Sequence, residues 1–171
     1  MPLQRTPFLV GALLLFTILG LVPVETCSAR QMPQFTLSDQ DARPRVVKYP
    51  QEKVSVFVIA DQKGSSDIAG WIQPLYKRFE RRIEVSGIAA LPGIPPMFHG
   101  LFRREFKKRL TFPVMLDWSG DVARSIGHQK DTVQLLVVSQ AGRVTLTKSG
   151  PANESALAEV IREIERLRVA E

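Results

Sequence analysis

The chain has 171 residues, 44% apolar and 23% charged, with 23 Lys and Arg against 17 Asp and Glu for a net charge of +6. This length and balance fit one domain with a sizeable core. A single cysteine, Cys27, excludes a disulfide framework, and the positive excess favours anionic partners (lipid headgroups, acidic polymers or acidic proteins) without choosing among them.

Residues 1 to 29 read as a targeting segment. "MPLQRTP" carries one Arg and no acid, and the run from Phe8 to Val22 is uncharged and apolar. It is shorter than the ~20 residues a spanning helix needs, as in a signal peptide. Cys27 and Ala29 stand at the −3 and −1 positions of a cut after Ala29, which would leave a mature chain of residues 30 to 171 without a thiol. An uncleaved inner-membrane anchor is the alternative. Glu25 and Thr26 fit poorly before a lipid-accepting cysteine.

Phe35-Thr36-Leu37 and Arg45-Val46-Val47 flank a polar stretch and predict a short hairpin. "VSVFVIA" (54 to 60) predicts a strand buried on both faces. After "DQKGS", Ser66 is placed to cap a helix and Asp67 to complement its dipole. Ile68, Trp71, Ile72, Leu75 and Phe79 form that helix's apolar stripe, with Pro74 expected to interrupt and kink it. "IEVSGIAAL" (83 to 91) is the next strand, and "PGIPPM" is too proline-rich for regular structure. A helix over 98 to 110 should carry Phe98, Leu101, Phe102, Phe106 and Leu110 on one side. A strand over 112 to 118, a short helix ended by Gly127, a hairpin of 132 to 139 with "RVTLTKSG", and a closing helix capped by Asn153 complete the chain. Strands alternating with helices predict an α/β layered sheet.

This order resembles the thioredoxin-like fold, closest to its redoxin branch. "FTLSDQDARPRVV" looks like the opening hairpin of redoxins, and "VSVFVIADQKGSSDIAGWIQPL" like their first core strand, active-site turn and helix. "FPVMLDWSGDVARSIG" and "TVQLLVVSQAGRV" resemble later redoxin segments. The resemblance implies a three-layer α/β domain over residues 30 to 171, with a central mixed sheet and a thiol site. Registering on Pro74 puts Ser66 and Ala69, bracketing Asp67 and Ile68, where the family carries the two cysteines of C-x-x-C. The family's cis-proline position falls on Val133, after Thr132. A thiolate stabilised by a helix N-terminus is the chemistry required there. A serine hydroxyl is too weak an acid to replace it without a base, and neither His99 nor His128 can be placed beside Ser66 from sequence. Dithiol chemistry by a mature chain lacking Cys27 is excluded by residue inventory.

No cofactor is indicated. Two histidines 29 positions apart make a poor metal site, "DWSGD" (117 to 121) fits a turn better than a calcium loop, and no phosphate-binding motif is present. Arg103, Arg104, Lys107, Lys108 and Arg109 form a basic run that suits an anionic membrane surface or an acidic partner, or else a solvated helix face. Nucleic acid is not expected for an exported protein. The resulting expectation is an exported, periplasmic, redox-inactive binding or adaptor module of the cell envelope. Its partner would be a protein or peptide held between Ser66 and Thr132-Val133. A thiol role needs Cys27 retained.

Overall fold

The computed structural model describes residues 30 to 110 and 112 to 169. The predicted targeting segment, with Cys27, lies outside the described residues, as does the side chain of Arg109. The strands are β1 (Phe35–Asp39), β2 (Pro44–Val47), β3 (Ser55–Ala60), β4 (Glu84–Ala90), β5 (Val114–Asp117), β6 (Val133–Val138) and β7 (Val144–Ser149). Helices α1 (Ile68–Phe79), α2 (His99–Arg109), α3 (Asp121–Ser125) and α4 (Glu154–Val169) are interleaved with them. One seven-stranded mixed sheet has the order β2-β1-β5-β4-β3-β6-β7. β3 is parallel to β4, and β4 to β5, while β6 returns antiparallel to β3.

The β-branched run "SVFVIA" sits mid-sheet with all six residues buried, as an unalternating apolar strand requires. Its side chains divide between two layers. Val56 and Val58 meet Trp71, Ile72, Leu75 and Phe79 of α1 and Val160 and Ile164 of α4. Phe57 and Ile59 face Met32 together with Val122, Ala123 and Ile126, which α3 and its C-terminal end contribute. The first layer continues over β4 and β5, where Phe106 and Leu110 cover Ala89, Leu91, Val114 and Leu116. Trp71 anchors α1 by donating its indole N–H to the Gly150 carbonyl at 2.9 Å. Asn153 caps α4, its side-chain oxygen accepting from the Ala156 amide at 2.9 Å.

Four local expectations need correction. Ser66 is not a helix cap: it lies inside a 3-10 turn over Gly64–Asp67, and Asp67 holds the cap position of α1 without a side-chain cap bond. The competing force is the tight turn itself, which consumes the residues expected to start the helix. Pro74 does not interrupt α1, which runs from Ile68 to Phe79 with Pro74 inside it. The carbonyl deprived of its donor belongs to Gly70, an exposed residue that water can reach. "PGIPPM" does end in regular structure, a 3-10 turn over Pro96–Phe98. Finally, the apolar side of α2 is split. Phe102, Phe106 and Leu110 turn inward, whereas Phe98 is 46% and Leu101 59% exposed.

Candidate functional site

The turn after β3 is organised by one carboxylate. Asp61 directly follows the strand, and its Oδ1 accepts from the amides of Lys63 (3.1 Å) and Gly64 (3.0 Å). Its Oδ2 accepts from the amide of Asp131 at 2.6 Å, across the sheet end in the segment leading into β6. Lys63 closes the loop with a 2.9 Å ion pair to Asp131. Burial pushes the Asp61 carboxyl upward, but the Gly64 and Asp131 amides and the charge of His128 outweigh this and hold it below its ordinary range.

Gly64 is buried against the start of β6. A Cβ there would run into the Thr132 carbonyl and stand 2.8 Å from the Val133 nitrogen, so only glycine fits. The turn at Gly64 and the start of β6 therefore meet backbone on backbone. The cis peptide among the described residues is Tyr49–Pro50, and the Thr132–Val133 bond is trans, as expected for a non-proline position.

Beside this closed seam, on the α2 side, the structure opens into a cavity of about 760 Å³. Its floor is the carboxyl end of β3 and β4 (Ala60, Ala89, Ala90), Phe102 and Phe106 wall it from α2, and Ser65, Ser66 and Ile68 wall it from the turn and α1. Asp61, Lys63, Lys130 and Asp131 ring the mouth. An apolar floor under a sparse polar rim at the carboxyl ends of parallel strands is the usual form of a ligand site in an α/β sheet. Of the residues singled out in the sequence, Ser66 and Ile68 line this cavity; Asp67, Ala69, Thr132 and Val133 do not.

The α2 wall is held by an aromatic group that the sequence reading passed over. Trp118, just past β5, stacks on His99 (ring centroids 3.7 Å, planes 11° apart), meets Phe102 edge-on at 6.5 Å and carries the Arg103 guanidinium at 5.8 Å. The His99 Nε2–H donates to the Ile94 carbonyl at 3.1 Å. Neither histidine serves Ser66, whose hydroxyl donates weakly to Asp67 at 3.4 Å. Burial pushes the His128 pKa below the ordinary value against the pull of Asp61 and of the Gln134 side chain. No base stands ready to activate the serine. Asp117, from the segment with the calcium-loop look, is buried and caps α3 by accepting from the Ala123 amide at 2.8 Å.

The basic run divides by direction. Arg103 packs over Trp118, Lys107 pairs with Asp41 at 2.9 Å, and Arg104 and Lys108 are exposed. No group of three or more metal-ligating side chains occurs among the described residues.

No family model and no curated protein sequence matches the chain. Solved structures do. The pneumococcal exposed lipoprotein thioredoxin of Streptococcus pneumoniae is similar at 16% identity and a TM-score of 0.62, over 77% of this chain and 99% of its own. The fold is thioredoxin-like. A thiol-disulfide oxidoreductase from Bacteroides fragilis aligns at 14% identity and TM-score 0.58 over 78% of this chain and 98% of its own. BsSco, of the Sco family of cytochrome c oxidase assembly proteins, reaches TM-score 0.64 at 10% identity over 84% and 96%. These matches show the fold, a three-layer α/β class. Within it, the described residues of this chain contain no cysteine, since the sole one is Cys27.

Proposed function

We propose that this thioredoxin-like protein is a redox-inactive binding module of the cell envelope. It takes a segment of a protein or peptide into the cavity between the Ser65-Ser66 turn and α2. The observation that carries this reading is an open apolar-floored cavity beside a turn held by the Asp61–Asp131 staple and the Gly64–Thr132 backbone seam. A loop bound in this way holds one wall of the cavity in place, which lowers the entropy lost on binding. Export is supported by the uncharged run from Phe8 to Val22, and the similarity to an exposed lipoprotein thioredoxin agrees with it.

Two assays test the reading. In insulin-disulfide reduction, the full chain and its Cys27→Ser variant should both stay at the uncatalysed rate. Activity lost specifically in Cys27→Ser would restore the thiol reading instead. A photocrosslinker at position 66 in intact cells should yield a discrete envelope-protein adduct, and its absence would remove the binding reading.

A further inference from the structure

Among the described residues, five large apolar side chains stand exposed, and three of them (Met97 at 82%, Phe98 at 46%, Leu101 at 59%) fall within five positions at the start of α2. Pro95, Pro96 and Gly100 around them are exposed too, and a Cβ on Gly100 would meet nothing within 4 Å. The result is a convex apolar tip carried on a 3-10 turn. Leu101, Arg104 and Lys108 follow i, i+3, i+7 spacing and so share one stripe of α2. Arg104 lies about 4.5 Å and Lys108 about 10 Å beyond Leu101 along the axis, at 1.5 Å per residue. Both are exposed, whereas Arg103 lies over Trp118 and Lys107 pairs with Asp41.

The geometry points to α2 as a membrane-docking element. The Met97-Phe98-Leu101 tip enters the interface of an anionic bilayer, and Arg104 and Lys108 contact the headgroups. A helix with apolar residues at one end of its outer stripe and cations at the other sits tilted at such an interface, within the ~5–10 Å depth where apolar side chains meet acyl chains. The long basic side chains extend back toward phosphate. Three protruding side chains fall far short of the ~800 Å² per partner of a standard protein interface. They suffice for reversible membrane contact when basic residues assist, and the net charge of +6 draws the domain to an anionic surface. The inward side of the same helix, through Phe102 and Phe106, walls the cavity. Docking would therefore place the cavity mouth near the membrane without using any of its lining.

A local probe tests this in the full chain, with a control site that separates the response of α2 from that of the run from Phe8 to Val22. In a Cys27→Ser background, an environment-sensitive dye is attached at Leu101→Cys, and separately at Val169→Cys as control. Val169 is 84% exposed and has Arg166 and Arg168 close by in sequence, but no large exposed apolar neighbour among the described residues. Vesicles of phosphatidylcholine with phosphatidylglycerol should shift the emission at 101 to the blue and leave 169 unchanged. Arg104→Gln with Lys108→Gln should weaken the half-saturating lipid concentration about 30-fold, roughly fivefold per cation. No shift at 101, an equal shift at 169, or the same response to pure phosphatidylcholine would each overturn the proposal.

Discussion

At the scale of one residue, Asp61 joins the turn after β3 to the segment before β6. Three amides converge on its carboxylate, and hydrogen bonds to a charged acceptor contribute more than neutral ones. Asp61→Ala should lower unfolding free energy by about 2 kcal/mol in urea titration, and Asp61→Asn by less. Gly64→Ala should cost about 3 kcal/mol, because its Cβ meets backbone that cannot rotate away. His128 gives a pH signature. Its pKa is depressed in the folded protein, so the unfolded chain binds more protons as pH falls through the ordinary value of 6.5. Stability is then present above that pH and lost below it. The thermal midpoint should fall as pH is lowered from about 6.5, before Asp61 begins to protonate, and His128→Leu should flatten this part of the profile.

At the scale of elements, burial separates what holds the fold from what is free to act. Ile164 of α4 is fully buried against the sheet, and Ile164→Ala should cost about 3 kcal/mol in chemical denaturation. Leu101→Ser on the outer stripe of α2 should change stability by no more than ~0.5 kcal/mol, since that side chain packs on nothing comparable. The order of elements was legible because each core strand and helix states its period clearly: "SVFVIA" is an unbroken β-branched run, and α1 and α4 carry apolar stripes at helical spacing. The division of α2 was not legible. Residues 98, 101, 102, 106 and 110 all look apolar in sequence, and only the direction from which β4 and β5 approach decides which of them are covered. The Ser66 position was misread for a related reason. A Gly-Ser-Ser-Asp stretch serves equally as a cap or as a 3-10 turn, and the Asp61 carboxylate pulling on Gly64 selects the turn.

For the whole molecule, the sheet and the site at its strand ends are separable. A mixed seven-stranded sheet with both faces covered needs nothing from the site at its strand ends, so the site can change while the core stays. The sequence carried the fold through the order of its segments. It could not carry the cavity, whose floor consists of three alanines from two strands and whose wall depends on Trp118 stacking under α2. Small residues at strand ends have no pattern of their own; only the packing around them shows the space they leave.

The most direct measurement combines a photocrosslinker at position 66 in intact cells with a second strain in which Ala89→Phe fills the cavity floor, thermal melts confirming that the variant folds. A discrete protein adduct from position 66 that disappears in the filled variant is the predicted result. An adduct that persists unchanged when the cavity is filled, or none in either strain, would contradict a ligand site between the Ser65-Ser66 turn and α2.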